Sequence, residues 1–139
     1  MPYPEMLVAP MREDLVRIGF RELRTPQDVD NVLGDERAAT LLVVNSVCGC
    51  AAGAARPAVY LSLQGEAKPD VLTTVFAGQD LEATERAREY IAGYPPSSPS
   101  VALFKDGQLV WFLERHRIEG RTPHQIAEDL RQAYAEHCG

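Results

Sequence analysis

The sequence predicts an α/β fold, a mixed central sheet flanked by helices. Three observations carry that expectation. A short, continuously apolar, β-branched run at Thr40 to Asn45 reads as a strand buried on both faces. Helical apolar spacings alternate with strand-like runs, the order that builds a parallel sheet through right-handed crossovers. Near the end, two strand-like runs flank Asp106-Gly107, the turn dipeptide of a two-residue hairpin, which adds an antiparallel edge.

Each element follows from local chemistry. Leu7 or Val8, Met11, Leu15 and Ile18 recur at helical spacing, predicting a first helix that ends at Gly19. Pro10 should start or kink it, because proline lacks the backbone donor. Phe20 to Leu23 is a short strand candidate. Thr25-Pro26 reads as an N-cap followed by proline in the first helical position, with the helix stopping near Gly34.

After the apolar strand comes an alanine-rich helix from about Cys48, which Pro57 should kink, and then a strand over Val71 to Ala77. Ala83, Ala87, Tyr90 or Ile91, and Tyr94 mark the buried stripe of the next helix. The proline- and serine-rich stretch from Tyr94 to Ser100 is a loop. Strands over Val101 to Lys105 and Gln108 to Leu113 follow, with Trp111 and Phe112 as hairpin core. Thr122-Pro123 starts the last helix, whose apolar face is Ile126, Leu130, Ala133 and Tyr134. The resulting order, α-βαβαβαββα, is the thioredoxin-like fold with an extra N-terminal helix.

Bulk composition narrows the function. The 139 residues, 45% hydrophobic and 24% charged, are expected to form one domain over 1–139 with a core that needs no disulfide staples. Fourteen basic against twenty acidic side chains leave a net charge of -6, which argues against nucleic acid as a partner. No leader pattern and no apolar run of roughly 20 residues is present, so a membrane is not an expected partner and the cytoplasm is the expected compartment. In that compartment, close-spaced cysteines point to catalysis or metal rather than staples.

Cys48-Gly49-Cys50 falls where the buried strand gives way to a helix, the edge of an α/β sheet where sites form. A cysteine at a helix N-terminus meets unpaired N–H groups and the positive end of the dipole, which favour thiolate. Cys48 is therefore the expected nucleophile, and Cys50, two residues further in, its shielded partner. Closing a disulfide over one residue should strain the ring, make the couple more oxidising than a Cys-x-x-Cys pair, and need the backbone freedom of Gly49. Two thiolates also suit copper(I) or zinc. Neither a second Cys-x-Cys nor a nearby His supports that reading, so no metal is expected.

Ser98-Pro99 directly precedes a predicted strand. In a thioredoxin-like fold a cis proline at this point faces the reactive cysteine, and the Ser98 backbone offers strand-like hydrogen bonds to a docked substrate. Cys138, penultimate and next to His137, is expected to be a bystander thiol on a mobile end. His116 and His124 read as surface residues.

An ordered set of motifs then carries a family resemblance. Val44-Asn45-Ser46-Val47-Cys48-Gly49-Cys50-Ala51-Ala52-Gly53, Ala55-Arg56-Pro57 and Val75-Phe76-Ala77-Gly78-Gln79-Asp80 are its first part. Pro96-Ser97-Ser98-Pro99-Ser100, Arg115-His116, Ile118-Glu119-Gly120 and His137-Cys138 complete it. Together they resemble the bacilliredoxins, bacterial proteins that remove bacillithiol from mixed disulfides on client proteins. The resemblance implies attack by Cys48, with Cys50 as its partner. It also implies bacillithiol as a thiol co-substrate, no bound cofactor, and in some members weak disulfide-isomerase activity. Arg56 or Arg115 would pair with the carboxylates of the malate moiety.

Overall fold

The computed structural model describes residues 2–35 and 38–138. Its elements are α1 (Glu5–Val16), β1 (Arg21–Glu22), α2 (Pro26–Leu33), β2 (Ala39–Asn45), a π-helical turn (Ala51–Ala55) running into α3 (Arg56–Ser62), and β3 (Val71–Phe76). They continue with α4 (Leu81–Glu89), β4 (Ser100–Lys105), β5 (Gln108–Leu113), a 3-10 turn (Arg115–Arg117) and α5 (Pro123–His137). The strands form one mixed sheet in the order β1-β3-β2-β4-β5. The pairs β1–β3 and β3–β2 are parallel, and β2–β4 and β4–β5 antiparallel.

The unbroken apolar run of β2 is explained by its place in the middle of this sheet, where all seven residues are buried. Leu41 and Val43 point to a layer made with Leu15, Val59, Ile126, Leu130 and Tyr134, so α1, α3 and α5 share one face. Leu42 and Val44 point to the other, against Val29, Leu33, Ala83 and Ala87 of α2 and α4. Side-chain alternation along a strand thus feeds two cores from one run.

Capping and turn chemistry set the boundaries. Thr25 accepts from the Asp28 N–H, with Pro26 opening α2. Thr122 and Gln125 form a reciprocal capping box at the start of α5. Asp106 and Gly107 both take positive φ, 55° and 77°, as a type I′ turn requires.

Several expectations are corrected. Pro10 neither starts nor breaks α1, which runs from Glu5 straight through it. The carbonyl that loses its donor belongs to Met6, which is exposed, so water can replace the missing bond. The first strand shrinks to two residues, and Phe20 lies outside it. Pro57 sits in the first turn of α3, and the helix meets it by widening into a π turn just before it. Tyr94 lies beyond α4, exposed, with its ring 4.8 Å from that of Phe112. Cys138 is not on a loose end. It caps α5, donates from its N–H to the Tyr134 carbonyl at 2.7 Å, and packs against the core.

Candidate active site

The site is built at the carboxyl end of β2. Asn45 is the last residue of the strand, and its buried side chain turns back on the loop it precedes. Its Oδ1 accepts from the Ser46 N–H at 2.9 Å and from Nη1 of Arg56 at 2.9 Å, while its Nδ2 donates to the Met11 carbonyl at 3.1 Å. Arg56 also donates to the Ser46 carbonyl at 3.2 Å and through Nε to Asp14 at 3.1 Å. The additional helix α1 therefore buttresses the cysteine loop at two points.

From that base the chain turns into the helix. Ser46 Oγ accepts from the Cys48 N–H at 2.9 Å. Gly49 and Cys50 are already helical, and the Cys48 carbonyl accepts from the Ala51 N–H at 2.9 Å, so Cys48 holds the N-cap position. All three cysteines are free thiols. The sulfurs of Cys48 and Cys50 lie 2.8 Å apart, within hydrogen-bonding distance.

The two sulfurs are not equivalent. Cys48 is held below the ordinary thiol range, first by the hydrogen bond from Cys50, then by the Cys50 backbone N–H, with the Arg115 charge and the Ala51 N–H adding to it. Cys50 is pushed above it, first by burial and then by Cys48 itself. The pair titrates as a unit, its first proton leaving from the outer sulfur. Such an arrangement supplies a thiolate at the surface and a protonated thiol behind it.

A recess of about 440 Å³ opens beside Cys48, lined among others by Ser46, Gly78, Arg88, Ser98 and Arg115. The Ser98–Pro99 peptide bond is cis, and Pro99 is buried ahead of β4. Arg115 is exposed. It anchors its N–H on Ser97 Oγ at 2.7 Å, pairs with Glu119 at 3.0 Å, and reaches the Ser98 carbonyl at 3.4 Å. The structure thus brings Cys48, Ser98 and Arg115 together around one recess.

Arg56 has a different place. It is 6% exposed and bonded through Nε and Nη1 to Asp14, Asn45 and the Ser46 carbonyl, so it holds the loop. It lines a separate groove of about 450 Å³ with Ile18, Ala52, Pro57 and Tyr60, which contains no sulfur. Gly49 takes no positive φ here, and a Cβ on it would meet nothing within 4 Å. Cys138 is at the other end of the sheet. Its thiol feels Lys105 and Asp70, which flank the start of β2, whereas Cys48 follows its end. Among the described residues, no group of three or more His, Cys, Asp or Glu side chains converges as a metal site would need.

Arg88 belongs to the recess and sequence reading missed it. As a charged residue near the end of a helix it carries no signal that separates it from a surface arginine. The same holds for the Asn45–Arg56 bond, although a polar residue closing a buried strand is itself a hint.

The fold is shared with solved thioredoxins. Mitochondrial thioredoxin 3 from Saccharomyces cerevisiae in its oxidized form matches with a TM-score of 0.56 at 18% identity, over 86% of this chain and 96% of the other. Thioredoxin O2 from Arabidopsis thaliana gives 0.58 at 18% identity, over 85% and 96%. The sequence also matches the family described as disulphide isomerase across residues 3–138. Fold, cysteine pair and family match define a thiol–disulfide oxidoreductase.

Bacilliredoxins from three bacteria are similar over 83% to 98% of their own lengths. Identity is 57% with that of Salinibacter ruber, over 100% of this chain and 83% of the relative. It is 54% with that of Cytophaga hutchinsonii, over 96% and 98%. With that of Halalkalibacterium halodurans it is 52%, over 98% and 94%. The chain belongs to the bacilliredoxin family.

Proposed function

We propose that this protein removes bacillithiol from mixed disulfides on client proteins, with Cys48 as the attacking nucleophile. The observation that carries the reading is the polarity of the sulfur pair. The outer thiol is the readily ionised one, and a protonated partner stands 2.8 Å behind it.

Ionised Cys48 attacks the bacillithiol sulfur of the mixed disulfide. A bond forms between the two, the client's sulfur leaves with the electron pair, and it takes a proton from water. Bacillithiol is then carried on Cys48. Cys50, once deprotonated, attacks the Cys48 sulfur, forming the Cys48–Cys50 disulfide and expelling bacillithiol as thiolate. A low-molecular-weight thiol or a dithiol reductase returns that disulfide to two thiols. Alternatively, a second bacillithiol attacks the bacillithiol sulfur held on Cys48, leaving as the symmetric disulfide and regenerating the thiolate.

Around this chemistry, the Ser98 backbone beside buried Pro99 pairs with the extended client, and Arg115 faces the thiol. Gly49 leaves the approach to the sulfurs without a side chain. A close-spaced cysteine pair that works as a catalytic couple suits a cytoplasmic setting, where structural disulfides are rare. No helix among the described residues is long and apolar enough to cross a membrane.

Intact mass spectrometry tests the reading. Reduced protein, wild type and Cys50→Ser, is mixed with a client carrying bacillithiol and, in parallel, one carrying glutathione. Bacillithiol gained by the Cys50→Ser protein as the client is freed, and faster than glutathione, is the expected result. No transfer from either client refutes it. Activity on scrambled disulfides without any bacillithiol would mark a general isomerase instead, the reading the family description favours.

A further inference from the structure

The arginines that are buried or half-buried in this protein are matched to acceptors, with one exception among the described residues. Arg12 meets Glu5, Glu22 and Asp80. Arg56 meets Asp14 and Asn45, Arg86 meets Asp30 and Glu89, and Arg121 meets Asp129. Arg88, in the last turn of α4, has no such match. Its Nε is buried without any hydrogen-bond partner.

A buried guanidinium donor left unpaired costs free energy, and no hydrogen bond or ion pair among the described residues engages the Nη groups of Arg88 either, so the guanidinium can take an acceptor supplied from outside. Arg88 lines the recess beside Cys48 together with Ser98 and Arg115. No carboxylate lines that recess, although the chain as a whole carries an acidic excess of six. Burial without a compensating anion also pushes the pKa of the Arg88 guanidinium below its ordinary value, as expected of a cation awaiting a counter-charge.

We propose that Arg88, together with Arg115, forms the carboxylate-binding subsite for the small thiol that is transferred to Cys48. The inference rests on the thiol-transfer reading and names its specificity determinant. Its ligand class is a low-molecular-weight thiol bearing one or more carboxylates, gripped by charge-assisted hydrogen bonds while its sulfur faces Cys48. Arg88 acts here as a binding residue.

The test separates charge from packing with Arg88→Met, which keeps the apolar stem, and Arg88→Lys, which keeps the charge. One client is prepared with either bacillithiol or neutral 2-mercaptoethanol in mixed disulfide, and the ratio of the two transfer rates is read. Losing one charge-assisted contact should lower that ratio about tenfold in Arg88→Met, with Arg88→Lys recovering much of it. An unchanged ratio overturns the proposal, as does an equal fall in both variants.

A second arm needs no disulfide exchange. In a Cys50→Ser, Cys138→Ser background, the alkylation rate of Cys48 by anionic iodoacetate is compared with that by neutral iodoacetamide. Arg88→Met should lower the iodoacetate preference several-fold, whereas Arg117→Met, which removes an exposed charge outside the recess, should not. An equal fall in both variants reduces the effect to general charge and overturns the subsite. Should the wild type fail to transfer either thiol, the function is refuted while this second ratio still decides the subsite.

Discussion

Arg56 donates through Nη1 to Oδ1 of Asn45 at 2.9 Å, and that same oxygen accepts from the Ser46 N–H. The contact fixes where the strand ends and the cysteine loop begins. Its outer side is closed by Asp14, 42 residues away along the chain. Arg56, which the family resemblance offered beside Arg115 as a partner for substrate carboxylates, is bonded here into the scaffold of the loop.

Replacing Arg56 with Ala should therefore act on stability before chemistry. The change leaves the buried Ser46 carbonyl without its guanidinium donor and takes one of two donors from Asn45 Oδ1, which keeps the Ser46 N–H, and one of two arginines from Asp14, which keeps Arg17, a loss of about 1–3 kcal/mol. Arg56→Lys should recover little of it, because one ammonium cannot span three acceptors in the way a planar fork does. Urea unfolding of the reduced proteins measures this. A near-neutral Arg56→Ala would show that the loop stands without the bond.

The sulfur pair makes a pH prediction. Alkylation of Cys48 by iodoacetamide rises as pH increases through its pKa, and the midpoint should fall below that of an ordinary thiol. Cys50→Ala removes the first of the influences that lower it, so the midpoint should move to higher pH. Peptide mass spectrometry across a pH series assigns the rate to each cysteine. In the wild type, Cys50 should label later and at higher pH. A Cys48 midpoint unmoved in Cys50→Ala would assign its acidity to the helix end and Arg115.

Much of this was readable from sequence where the determinant is local. The apolar run of β2, the Thr-Pro helix starts, the Asp106-Gly107 turn and the Cys48–Cys50 spacing each state their chemistry within a few residues. What stayed hidden depends on distant partners. Arg12 joins Glu22 and Asp80, the latter 68 residues away, and Arg56 reaches back to α1. Arg88 is distinguished by what it lacks, and no window of sequence shows an absent partner. The π turn before Pro57 likewise resolves a conflict that the sequence could present but not settle.

The capping box at the head of α5 offers a purely structural control. Thr122→Ala removes one side-chain acceptor and loosens the reciprocal Gln125 bond, costing about 1 kcal/mol. The melting temperature should drop by a few degrees while thiol transfer at 25 °C is retained. A lost activity with an unchanged melting temperature would reverse that assignment.

Cys138 should prove silent in exchange. Burial pushes its thiol up, and it sits at the end of the sheet away from Cys48. Cys138→Ser should leave the transfer rate within about twofold, and its own alkylation should lag behind Cys48 at neutral pH. A tenfold slower Cys138→Ser protein would put this thiol into the catalytic cycle.

The central position of β2 has a consequence for how the molecule breathes. Its amides and carbonyls are locked between β3 and β4, so they belong to the slowest class of hydrogen–deuterium exchange, opening only when the whole chain does. The reactive loop hangs from that most reluctant strand, a short step beyond Asn45. Thiol traffic at the rim can then proceed through many cycles without borrowing from the reserve that keeps the molecule out of the hands of proteases.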